Sequence, residues 1–314
     1  MTLADDRVEI VEVGPRDGFQ PIVPFITTDD KMAFVEGLLD AGVGRIEIGS
    51  FVSAKAIPQL CDTRDVLGAF QSDARADFQV LVPNMRGARD ALLSQAQHLV
   101  FVMSASPNHN RANVGKEPAE SAGEFSSLAA DLPPATRLRL NVATVFDCPF
   151  SGRMPASATL ELLKRVEPHL DGLEVCLCDT TGGANPAQVE HVFGLCRQTF
   201  SNVSWAFHAH DTYGMGAANV YSAYRLGLRI FDASIGGLGG CPFAPGATGN
   251  VATEDLVWMF QAMGVPTGID IGKIVALAER AAALEGASAG GRVREALSAR
   301  QRRRASSAQQ NDVA

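Results

Sequence analysis

Short apolar runs rich in β-branched residues recur along the chain, with amphipathic stretches between them. That alternation produces parallel strands joined by crossover helices. Eight runs stand out, beginning near Val8 (VEIVEV), Arg45 (RIEIG), Phe78 (FQVLV), His98 (HLVFVM), Arg137 (RLRLNVATV), Gly172 (GLEVCLCD), Trp205 (WAFHAH) and Ile230 (IFDASI). Their mean spacing of about 32 residues is close to the length of one strand–helix–strand unit. Eight such units favour closure into a barrel over an open sheet. The expected fold is α/β, a (β/α)8 TIM barrel with a short C-terminal helical extension.

Helix signals fall where the crossovers must lie. Thr28 is the expected cap of a helix opening Asp29-Asp30-Lys31, where acidic residues meet the positive helix end, and Phe34, Leu38 and Leu39 mark its buried face. Asn185-Pro186 opens another, with Pro186 at the first helical position and Val189, Val192, Phe193 and Cys196 on one side. A last helical pattern runs from about Gly272 to Glu285 and leads into Gly290-Gly291. The expected division is a barrel domain with its C-terminal helix over 1–288 and a basic, disordered, solvated tail over 289–314, Arg-rich and then Ser/Gln-rich.

Composition narrows the partners. A chain of 314 residues that is 46% hydrophobic can bury one large core. A net charge of -8 argues against nucleic acid or an acidic membrane as partner, because both attract basic patches, and leaves a small molecule. Six cysteines over this length are too sparse for a secreted disulfide scaffold and read as reduced thiols of a cytoplasmic protein. The start, MTLADDRVEI, has no leader pattern, and no segment carries the ~20 apolar residues that span a bilayer.

In such a barrel the chemistry sits at the C-terminal ends of the strands. The seventh run ends Phe207-His208-Ala209-His210-Asp211, and strand alternation sends His208 and His210 to the same side, as a metal-ligand pair or as two hydrogen-bonded core histidines. The first ends Gly14-Pro15-Arg16-Asp17-Gly18, placing a guanidinium and a carboxylate at a turn, where one can face an anion and the other a cation. Glu47 in IEIGS and Asp179 at the end of VCLCD add carboxylates to the same mouth. Carboxylates converging there with two histidines point to a divalent cation and acid–base work. After the eighth run, GGLGGCPFAPGATGN is a glycine-rich loop carrying Cys241, a reactive thiol placed to close over substrate. It lacks the Lys-Ser/Thr of a phosphate loop. Cys61, Cys148, Cys176, Cys178 and Cys196 read as small buried residues, with Cys176 and Cys178 packed inside the barrel. Two histidines plus a carboxylate also describe a non-haem iron site, but that site accompanies a β-sandwich and not eight strand–helix units.

VEVGPRDGFQ, IEIGSFVS, FHAHDTYG and GGLGGCPFAPGATGNVATEDLV, in this order at the ends of runs 1, 2, 7 and 8, resemble the 3-hydroxy-3-methylglutaryl-CoA lyase family over about Val8 to Thr267. The resemblance implies a carbon–carbon lyase that splits such a 3-hydroxy-acid thioester into acetyl-CoA and a keto acid. It implies a divalent metal, Mg2+ or Mn2+, on Asp17, His208, His210 and Asn250. It puts catalytic roles on Arg16, Cys241, Glu47 and Asp179, and substrate contacts on Gln20, Asn141 and Thr180. The expected partners are an acyl-CoA substrate and further copies of the chain. Asn141-Val142-Ala143-Thr144, Ala105-Ser106-Pro107 and Cys178 depart from the family pattern near the substrate, which leaves the acyl group open between related thioesters. Condensing acyltransferases and metal aldolases share the barrel and the His-x-His strand; the cysteine loop fits the lyases.

Overall fold

The runs RIEIGS and HLVFVMS are buried along nearly their whole length on both faces, as parallel strands covered by helices must be. The structure, a computed structural model, describes residues 7–240, 249–300 and 303. In chain order the strands are β1 (Glu9–Glu12), β2 (Arg45–Ser50), β3 (Asp77–Val82), β4 (His98–Ser104), β5 (Arg137–Ala143), a separate hairpin of β6 (Asp147–Cys148) and β7 (Gly152–Arg153), then β8 (Glu174–Asp179), β9 (Ser204–Ala209) and β10 (Ile230–Ala233). All but the hairpin pair in parallel and close as β1-β10-β9-β8-β5-β4-β3-β2. Every expected run is a barrel strand, and the helices fall between them. No helix among the described residues is long and apolar enough to cross a membrane.

Two layers share the strand residues. Outward-facing side chains join the helices: Phe207 meets Phe193 and Phe146 edge-on, with ring centroids 5.5 and 5.9 Å apart. Inward-facing ones make a different core. Cys176, Cys178 and Ala206 form a small apolar cluster, and beside it lies a charged layer. Arg45 donates to Glu174 and Glu9, and the fully buried Arg139 pairs with Asp232 and Glu174. A buried guanidinium is tolerable only with such partners.

Three local expectations change. The cap of the helix Thr28–Asp40 is Thr27, whose hydroxyl accepts from the Asp30 amide, while Thr28 donates to Asp62. Cys61 is exposed, because it ends the turn Pro58–Leu60 on the surface; Cys148, Cys176, Cys178 and Cys196 are buried. The stretch expected to be disordered from 289 is helical over 293–300. It is tied down because the Arg292 and Val293 amides donate to Asp255 and the Gly290 amide to the Gly236 carbonyl. At Asn185 the expectation stands: its side chain caps the helix Pro186–Thr199 reciprocally with Gln188.

Candidate active site

After β1 the chain makes a tight π-helical turn, Gly14–Gly18, in which the Gly18 amide reaches back to the Val13 carbonyl. Such turns redirect side chains at functional sites. A side chain at Gly14 would strike the Glu12 carboxylate, so only glycine leaves room there. The turn aims Arg16 and Asp17 into the barrel mouth. Opposite them, His208 projects from β9 and His210 from the residue just after it, their rings 5.0 Å apart. Asp17 Oδ2 lies 4.0 Å from His208 Nε2 and 3.7 Å from His210 Nε2, too far for hydrogen bonds. One ligand atom from each of the three residues nevertheless falls within 4.8 Å of the others. Asn250 bridges to His210 and donates through Nδ2 to Asp17 Oδ2 at 2.8 Å, leaving its own Oδ1 buried without a partner among the described residues. A carboxylate, two imidazoles and an orphaned amide oxygen are the mixed set that suits a hard divalent cation.

Charge states agree with that use at Asp17 and His210. Burial opposes the charge on His208, but its contact with Asp232 and the nearby Cys178 and Asp17 outweigh burial and raise its pKa to about 9, so that a metal at Nε2 would displace a proton. Burial opposes ionisation of Asp17, but Arg16 and the two imidazoles outweigh it and hold the carboxyl well below its usual range. Burial depresses His210, aided by the neighbouring His208 and Arg16 charges, and keeps it the neutral donor a metal needs. Arg16 donates Nε to Glu47 and Nη1 to Asp17. Glu47 in turn accepts from Gln79 Nε2 at 3.0 Å, so the guanidinium is held from two sides.

Arg16, Asp17, His208 and His210 line one cavity of about 650 Å³, together with the expected contact residues Gln20, Asn141 and Thr180. Glu47 stands behind Arg16. Asp179 does not face this space. Its register partner is Ala209, on the helix-facing side of the sheet, whereas Cys178 pairs with His208 and lines the cavity. The Asp179 carboxyl accepts from the Ala184 amide and is pushed up to about 7 by burial. It holds the turn after β8. The expectation that it joins the mouth therefore fails on strand parity. Cys241 lies outside the described residues; Gly240, just before it, lines the cavity.

Functional neighbours that sequence reasoning passed over are Asp232, Arg139 and His109. Asp232 Oδ2 lies 3.2 Å from His208 Nδ1 and receives Arg139 Nη2 at 2.7 Å. His109 lines the cavity with Nδ1 at 2.7 Å from Ser104 Oγ, and burial lowers its pKa to about 4. The available signal was a charge inside a buried run, Arg139 in RLRLNV and Asp232 in IFDASI.

Backbone closeness fixes Asn250. A methyl at Gly249 would press on the Gly237 carbonyl and the Leu238 backbone. With Asn250 proposed as a metal ligand, Gly249→Ala should weaken Mn2+ binding about 10-fold and lower turnover in step, since displacing a ligand acts like loss of its support. Titration of Mn2+ into the variant checks this; unchanged affinity would remove Asn250 from the ligand set.

Comparisons with known proteins converge on one family. The HMGL-like family model matches residues 7–280. A hydroxymethylglutaryl-CoA lyase of Bacillus subtilis is 39% identical over 87% of this chain and 91% of its own. An (R)-citramalyl-CoA lyase of Chloroflexus aurantiacus is 37% identical over 87% and 90%. Among solved structures, an HMG-CoA lyase from Acinetobacter baumannii in complex with coenzyme A and 3-methylmalate superposes with a TM-score of 0.88 at 39% identity, covering 94% of this chain and 97% of that one.

Proposed function

Because the chain belongs to the HMGL-like family, we propose that its cavity binds a 3-hydroxy-acid thioester of coenzyme A, 3-hydroxy-3-methylglutaryl-CoA or a near relative, and splits it into acetyl-CoA and a keto acid. The protein is an enzyme, a carbon–carbon lyase. The observation that carries the substrate reading is the convergence of Asp17, His208 and His210 beside Arg16 in one cavity, with Asn250, whose Oδ1 has no partner among the described residues, bonded to Asp17. We place the enzyme in the cytoplasm, where the five free cysteines among the described residues stay reduced.

The cleavage needs three things of the protein. A base takes the proton of the substrate's hydroxyl; the carbon–carbon bond then breaks, its electron pair passing to the thioester as an enolate while the hydroxyl carbon becomes a ketone. Asp179 is turned to Ala184, and Glu47 is held by Arg16 and Gln79, so of these four acid–base candidates Asp17 and His208 are the two that line the cavity. Asp17, His208, His210 and Asn250 would hold a divalent cation, Mg2+ or Mn2+ for this donor set, which when bound would acidify that hydroxyl. Arg16, always charged and held by Glu47, faces the enolate oxygen. The enolate finally takes a proton from Cys241, and acetyl-CoA leaves.

The test is incubation with 3-hydroxy-3-methylglutaryl-CoA and with citramalyl-CoA plus Mg2+ or Mn2+, following acetyl-CoA with acetoacetate or pyruvate by mass. Formation of acetyl-CoA from neither thioester would overturn the reading. Cys241→Ser, compared with wild type in the same assay, should retain metal content and melting temperature while product formation falls about 100-fold, since a hydroxyl is a far weaker acid than a thiol with a pKa near 8.5. Loss of metal together with activity would show that the loop does not deliver an acid.

A further inference from the structure

Arg139 sits in the middle of β5, fully buried, with its fork divided among three partners. Nη2 donates to both oxygens of Asp232, at 2.8 and 2.7 Å. Asp232, neighbour of His208 in the β9–β10 register, places Oδ2 3.2 Å from His208 Nδ1. That contact occupies one ring nitrogen and leaves Nε2 toward Asp17. The guanidinium Nε runs the other way and donates to Asn141 Oδ1 at 2.8 Å. Asn141 is on the same strand two residues on and lines the cavity. With its oxygen occupied, the amide has its two N–H donors left for the cavity side. Nη1 stays with Glu174 at 3.2 Å.

We propose that Arg139 is a positioning residue for both walls of the cavity: through Asp232 it sets His208 for metal binding, and through Nε it turns the Asn141 amide so that its N–H groups donate to a substrate oxygen. The inference rests on the metal site and substrate class given above. It adds what holds the two walls in register. A guanidinium is suited to this because its planar donors reach separate acceptors at fixed angles, whereas an ammonium gathers its donors at one point. Support of this kind sets ligand orientation, and its loss costs roughly 10- to 100-fold in metal affinity.

Three variants separate the errands, each read by melting temperature, by Mn2+ affinity, and by affinity of the Mn2+ form for free 3-hydroxy-3-methylglutarate as probe. Asn141→Asp still accepts from Arg139 Nε but offers no donor to the cavity. It should leave Mn2+ affinity within about 2-fold and weaken the probe at least about 10-fold. Asp232→Asn should do the reverse, weakening Mn2+ about 10-fold with Asn141 undisturbed. Arg139→Lys keeps the charge beside Asp232 and Glu174 yet cannot serve Asp232 and Asn141 together, and it should lower both affinities. A folded Arg139→Lys protein with both affinities unchanged would overturn the proposal. If that variant does not fold, Asn141→Asp and Asp232→Asn decide: equal losses of Mn2+ and probe in both would show one general structural role. None of these readouts needs turnover. A wild type that cleaves no thioester while the Mn2+ responses hold would refute the assigned reaction and leave the positioning role standing.

Discussion

Arg16→Lys lowers kcat by about two to three orders of magnitude while the protein folds and, at saturating concentration, still binds Mn2+. The native guanidinium uses Nε on Glu47 and Nη1 on Asp17, two acceptors on different elements. A single ammonium cannot meet both, and its charge shifts away from the position the Glu47–Gln79 pair defines. The substrate carries no enolate charge until the bond breaks, so KM changes little and the loss falls on kcat. Steady-state kinetics with an Mn2+ titration on the same preparation test it. Wild-type kcat in the variant would remove Arg16 from the reaction.

His210→Ala raises the Mn2+ dissociation constant more than about 100-fold, beyond the cost of losing an outer-shell support, and turnover falls with it. The side chain is buried, its ring faces Asp17, and its Nδ1 has no hydrogen-bond partner among the described residues. Its removal therefore takes away a proposed ligand without stripping a hydrogen-bond partner from another described group, and the fold should persist. Calorimetric titration and a thermal melt on the metal-free variant distinguish this from unfolding. Intact Mn2+ affinity would move the metal elsewhere.

What could be read along the chain is what local periodicity determines. The barrel strands and the helices between them follow from apolar runs and their spacing, because each strand must be buried on both faces and each helix on one. His208 and His210 share a side through the two-residue repeat of their own strand, and Arg16 and Asp17 share a turn, so both pairs are local facts. Asp179 shows the limit. Its position at the end of β8 was legible, and so was the packing of Cys176 and Cys178 into the barrel, but the two together place Asp179 on the outer face, against Ala209. Alternation decides direction where proximity to the mouth does not.

The partners that tune the site were decided by closure. Arg139 meets Asp232 across 93 residues, Asn250 meets Asp17 across 233, and Thr253 donates to Glu12 across 241. No spacing within one segment encodes such pairs; they exist because the closed sheet lays β5 near β10 and returns the loop after β10 to the turn after β1. The exposed Cys61 and the tethered residues 290–293 depend likewise on what the rest of the fold leaves uncovered or offers as an acceptor. The sequence by itself determined the elements and the pairing of His208 with His210 and of Arg16 with Asp17, since these rest on short-range pattern. Tertiary structure decided which charges meet, since burying a charge is stable only beside a partner that the chain brings from far away.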